Sequence, residues 1–169
     1  MKQLVYRILF IISTLPLITL AQDEQELRSA MVHVNVSATV IESIEMLTLS
    51  DFNIGPVQPS QREIVIDPGQ DAGAALLMFS GSPEREIRLT YTPQVQLTKP
   101  DAPSLTAYYS LQGYTENEQG SSVPLEENPA TVSLSDEGEY YVWIGVRLNI
   151  EQATSGAYDG DCAIEVEYN

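Results

Sequence analysis

His33 and Cys162 are the only histidine and the only cysteine of the chain, and that scarcity bounds the chemistry it can do. A serine hydrolase needs a base beside its nucleophile. His33 would have to be that base, and no G-x-S-x-G elbow accompanies it. A tetrahedral zinc shell needs three or four nitrogen and sulfur donors, which one His and one Cys do not supply. Carboxylates are plentiful, with 24 Asp and Glu against 8 Lys and Arg, yet no pair stands out as the acid and base of a glycosidase. Hard oxygen donors suit calcium instead. Asp159-Gly160-Asp161 and the run Ser135-Asp136-Glu137-Gly138-Glu139 read as tight acidic turns, making Asp136, Asp159 and Asp161 the calcium candidates. Neither run has the loop spacing of an EF-hand, and Asp and Gly are ordinary hairpin residues. Tyr141 and Trp143, two apart on one strand face, could form a flat platform on which a polysaccharide stacks. The other reading of that pair is a strand covered on both faces by an overlying loop. The chain is therefore expected to have no catalytic residues and no cofactor, the acidic runs reading as ordinary turns with calcium as the alternative.

The elements that would carry these residues are strands, because apolar residues recur every second position. Val32, Val34, Val36, Ala38 and Val40 alternate with His33, Asn35, Ser37 and Thr39. Ile64 and Ile66 form a short strand ending at Asp67-Pro68-Gly69, where Pro fixes φ and Gly permits a turn. The apolar run 74–79 closes at Ser80-Gly81-Ser82-Pro83, and Ile87, Leu89 and Tyr91 alternate before Pro93. Residues 105–114 are Tyr-rich and β-prone, 115–129 form the longest candidate loop, and Val132 and Leu134 mark another strand. The clearest strand aligns Tyr140, Val142, Ile144, Val146, Leu148 and Ile150, and the last aligns Cys162, Ile164, Val166 and Tyr168. This pattern predicts an all-β, antiparallel two-sheet sandwich over residues 31–169, immunoglobulin-like or pilin-like. Cys162, as one tooth of the last strand, reads as a small buried hydrophobe.

The N-terminus reads as an export signal. Lys2 and Arg7 precede a mostly apolar stretch at 8–20, and Thr19-Leu20-Ala21 offers small residues for cleavage before Gln22. The stretch is short for a membrane span and contains Pro16, so no retained anchor is expected. Residues 22–30 then form a polar leader. A single cysteine leaves the exported domain without an internal disulfide, so its core must stabilise it. The formal charge of −16 deepens once Lys2 and Arg7 are removed, which argues against nucleic acid or an anionic membrane as partner. A signal of this kind specifies export and leaves periplasm, cell surface and medium open.

Four stretches together carry a family resemblance. They are Ala38-Thr39-Val40 with Ile44, Leu47, Leu49, Phe52 and Ile54-Gly55-Pro56-Val57; then Phe79-Ser80-Gly81; then residues 142–148; then Gly156-Ala157-Tyr158-Asp159-Gly160 leading to Val166-Glu167-Tyr168-Asn169. In this order they resemble the bacterial secreted family called domain of unknown function 4402, itself similar to spore-coat-U-type and fimbrial-subunit sandwiches. The resemblance implies an exported, non-catalytic structural or surface protein, a subunit of a fimbria-like or coat-like assembly, with protein partners or copies of itself. The alternative is an adhesin or carbohydrate-binding module that uses Tyr141, Trp143 and the loop 115–129. An alternating last strand with a penultimate aromatic, Tyr168, fits subunits that receive a strand from a neighbour. The lack of a disulfide and the non-alternating leader depart from that pattern and favour a self-complete sandwich.

Overall fold

Alternation along the chain becomes two facing sheets. The computed structural model describes residues 44–54 and 60–169 in full and residues 32–40 by their backbone. The expected signal at 1–21, the leader at 22–30 and Gly55, Pro56 and Val57 lie outside the described residues. The strands are β1 (Val32–Val40), β2 (Glu45–Ser50), β3 (Glu63–Ile66), β4 (Ala75–Ser80), β5 (Glu86–Tyr91), β6 (Gln94–Leu97), β7 (Leu105–Tyr114), β8 (Val123–Pro124), β9 (Ala130–Ser133), β10 (Glu139–Asn149) and β11 (Tyr158–Tyr168). One sheet has the order β1-β11-β5-β9, and the other β2-β4-β10-β7-β6, with β3 beside β10 and β8 beside β7. Among the described residues all strand pairings are antiparallel except one: β1 runs parallel to β11, in register from Val32 opposite Tyr158 to Val40 opposite Val166. The result is the expected two-sheet sandwich, its first and last strands lying side by side.

The core is built from the inward teeth of both sheets. Leu77 and Phe79 of β4, Leu111 of β7 and Val142, Ile144 and Leu148 of β10 face Ile87 and Leu89 of β5 and Cys162, Ile164 and Val166 of β11. Burying each of the larger side chains contributes roughly 1.5–3 kcal/mol, which is how a domain without a disulfide holds. At one corner the sheets touch directly. Thr98, just past β6, exchanges two backbone hydrogen bonds with Asp159 of β11, at 2.8 and 2.9 Å. Both ends of β11 are fastened. Near its end the Ser82 N–H donates to the Tyr168 hydroxyl at 2.8 Å, and the Arg85 guanidinium lies 5.0 Å from the Tyr168 ring centre. At its start the Thr154 N–H donates to the Tyr158 hydroxyl at 3.0 Å, while Lys99 caps the ring and donates to Thr154 and to the Ser155 carbonyl.

The feature that shapes the outer surface lies between β3 and β4. Both run antiparallel to β10 on the same side, with Ile66 opposite Val146 and Ala75 opposite Ile144. Between those two partners β10 spends only Gly145, whereas the segment joining β3 to β4 spends residues 67–74. This excursion forms a strap over the outer face of β10. Internal bonds set its shape: the Gly69 N–H donates to Asp67 Oδ1 at 2.8 Å, and the Asp67 N–H to Asp71 Oδ2 at 2.6 Å. A Cβ at Gly145 would collide with the Ile66 carbonyl and the Pro68 ring, so glycine is what lets the strap lie flat. Gln119, in a short 3-10 turn at Gln119–Ser121, clamps it from the far side, donating to the carbonyls of Pro68 and Asp71 at 2.9 Å each.

Candidate functional site

Asp159 and Asp161 do not form a tight turn. They occupy alternate, exposed positions within β11, a correction to the reading of Asp159-Gly160-Asp161 as a turn. Gly160 pairs with Val34 in the ladder, and a Cβ there would meet Leu97 and Val95, so a glycine serves close packing. Asp136 does lie in a turn, closed by the Gly138 N–H donating to the Ser135 carbonyl at 3.0 Å. That turn adjoins Arg85, next to the far end of β11: the Leu134 N–H donates to the Arg85 carbonyl at 2.9 Å. The two acidic motifs therefore sit at opposite ends of β11 and do not share a site. Asp136 instead joins Glu116, Glu137, Thr115 and Ser135 around an open cleft of about 420 Å³ between the end of β7 and the β9–β10 turn. The sequence had separated these residues into a loop and a turn, and only the pairing of β7 with β10 brings them together.

Next to that cleft stands Tyr141, half-exposed on the outer face of β10. Its hydroxyl donates to Glu139 Oε2 at 2.6 Å. That bond to the carboxylate pushes the phenol up to about 12, helped by partial burial and the charges of Glu139 and Glu137. Trp143 differs: only 4 % of it is exposed, so it is not the open platform that its position two residues on suggested. Its outer-face neighbours are Leu76 on β4 and Gln112 on β7. Gln112 lies against Gly69 of the strap and accepts from the Ser122 hydroxyl at 2.9 Å. The strap and the 3-10 turn thus wall the outer face beside Trp143, which matches the overlying-loop reading. The Tyr141 and Trp143 rings are 6.4 Å apart and tilted by 30°.

Register assembles a further group. Leu47 pairs with Met78, Met78 with Tyr141 and Tyr141 with Tyr114, forming one row across β2, β4, β10 and β7 on the outer face. Leu47 is 53 % exposed and the other three are half-buried. The neighbouring row holds Glu45, Ser80 and Glu139. The signal available in the sequence was alternation within each strand, but the partners across strands depend on register, which alternation does not give.

Inside the sandwich, Cys162 is 1 % exposed, its thiol 3.7 Å from the Thr92 carbonyl and pushed up to about 11 by burial. It is a protonated packing residue at neutral pH. The Tyr109 hydroxyl is buried without a hydrogen-bond partner among the described residues, and its pKa is raised, mainly by desolvation. Of His33 only the backbone position in β1 is described. No helix among the described residues is long and apolar enough to cross a membrane. No family model matches the chain, and no curated protein matches it either.

Proposed function

We propose that this chain is an exported, non-catalytic structural protein of the cell surface, a subunit that assembles by exchanging its first strand between copies. The observation that carries this reading is the β1–β11 ladder. β1 pairs with β11 alone among the described strands, as an edge strand running parallel over nine residues. A strand held by one ladder can be supplied by its own chain or by a neighbour's, since the backbone bonds and alternate side-chain positions are the same in either case. Its acceptor is independently fixed, because Tyr158 and Tyr168 anchor β11 at both ends through groups outside β1. The resemblance to secreted coat and fimbrial sandwiches supports the same reading, as does a signal-like N-terminus.

The register supplies the test. Ser37 lies opposite Ala163. Cysteines placed by Ser37→Cys and Ala163→Cys, in the chain beginning at Gln22, bond within one molecule or between molecules depending on whose β1 is seated. Exchange predicts a ladder of covalent multimers on a non-reducing gel, its share rising with protein concentration. A bond confined to monomers at every concentration would overturn the assembly reading. Native Cys162 does not compete, being buried and protonated.

A further inference from the structure

We propose that the free edge of β2 and the outer row beside it form a docking site for an extended, cationic and apolar segment of a partner protein. This site is on the opposite sheet from the β1–β11 ladder and does not depend on strand exchange.

β2 pairs only with β4 among the described residues, so it is the edge of its sheet. Edge strands that stay solitary are usually blunted by Lys, Pro, short length or a β-bulge, and of these β2 carries only the bulge at Leu49. β2 contains no Lys and no Pro, and exposes Leu47 at 53 % and Leu49 at 42 %. Leu49 is the residue skipped by the register shift between Thr48 and Ser50, and so stands clear of the ladder. The apolar surface does not end at the edge. From Leu47 it continues through Met78, Tyr141 and Tyr114, a row about 15 Å long given the spacing of neighbouring strands. An apolar strip that runs up to an open strand edge offers backbone pairing and side-chain contact together.

Charge decides the occupant. Glu45 and Glu139 flank the strip in the adjoining row, and Glu116, Asp136 and Glu137 line the cleft at its Tyr114 end. Among the described residues, the basic group that β10 carries on this outer face is Arg147, three rows away from Tyr141 and facing Glu63 at 3.9 Å. A second copy would set Glu45 and Glu139 against acidic neighbours on a molecule that already carries a net charge of −16. A strand bearing valine- or leucine-like side chains over Leu47 and Leu49, with lysine or arginine over Glu45, satisfies the edge, the strip and the rim at once.

The probe is a fluorescein-labelled decapeptide in which threonine alternates with valine, valine, valine, lysine and lysine, titrated with the chain beginning at Gln22. Saturable binding is expected, weakened at least about tenfold by Leu47→Ser with Leu49→Ser. Because both leucines are exposed, those variants should melt like the parent. Glu45→Gln with Glu139→Gln should weaken binding several-fold and flatten its salt dependence. Three results would overturn the proposal: equal binding of a peptide with serine for valine, undiminished binding by the leucine variant, or displacement of the peptide by a neutral β-glucan. Self-association of the free chain that Leu47→Ser abolishes would assign the face to a second copy instead.

Discussion

At the scale of single residues, tyrosines report the local fields most directly. Tyr141 is pushed up to about 12, first by its bond to Glu139, and Tyr140 to about 12 by burial. Tyr168 is lowered because it accepts from Ser82, with Arg85 adding to the effect, and Tyr158 is lowered by its bonds to Thr154. A spectrophotometric titration should therefore spread over the alkaline range, with Tyr158 and Tyr168 ionising first and Tyr140 and Tyr141 late. The sign for stability follows from linkage. A phenol ionises near 10 in the unfolded chain, so a folded value near 12 lets the unfolded state lose its proton first. The contribution of Tyr141 is thus complete below about pH 10 and lost as pH rises towards 12. Glu139→Gln should bring the Tyr141 titration back towards 10 and make the pH 10–12 decline in urea midpoint shallower. A decline equally steep in the variant would show that Glu139 does not hold the proton on Tyr141.

Among the elements, the strap at 67–74 has the largest consequence for what the outer face can do. Gly145→Ala puts a methyl where the Ile66 carbonyl and Pro68 ring lie, and backbone on both sides cannot step aside as a side-chain tip could. The expected cost is about 1–3 kcal/mol in urea denaturation. Trp143 emission should shift to the red as the strap lifts from its neighbour Gln112. Unchanged emission and midpoint would mean that the strap is not seated on Gly145. Why some elements were legible in the sequence, and others not, is visible here. β5 and β11 bury one face, and β10 carries an unbroken apolar inner row from Tyr140 to Leu148, so alternation marks all three. β2 is exposed on nearly every residue and carries no such pattern. β6 has only four residues between Pro93 and Pro100, too few for a period to register, although it makes the corner with β11. Trp143 looked solvent-facing because its position has outward parity. The wall beside it comes from residues about 70 positions earlier, folded against Gly145 and Gln112 by an insertion that reads as an ordinary turn. The aspartates of β11 misled in the opposite direction: their types suit a turn, but backbone pairing with β1 and with Thr98 holds Asp159 in an extended strand.

For the whole molecule, the dominant property is an excess of negative charge that its ion pairs barely relieve. Arg62 meets Glu151 and Arg88 meets Glu167 at 3.0 Å, and Arg147 approaches Glu63 at 3.9 Å, all with side chains 43 % exposed or more. Exposed pairs of this kind contribute about 0–1 kcal/mol each. The remaining carboxylates, among 24 acidic groups, repel one another across a small domain, and folding brings them closer than they are in the unfolded chain. Screening should therefore stabilise the folded state, because the Debye length falls from about 30 Å at 0.01 M salt to about 3 Å at 1 M. Raising sodium chloride across that range should lift Tm by several degrees, given that about 1 kcal/mol moves a domain of this size by roughly 2–8 °C. A fall in Tm would mean that attractive pairs outweigh the repulsion. Calcium chloride at matched ionic strength separates a diffuse field from a bound ion. If the acidic groups act only through their summed charge, the two salts should give the same Tm at low millimolar calcium. A further rise with calcium, lost in Asp136→Asn with Glu137→Gln but retained in Asp159→Asn, would place an ion in the cleft beside Glu116 rather than along β11.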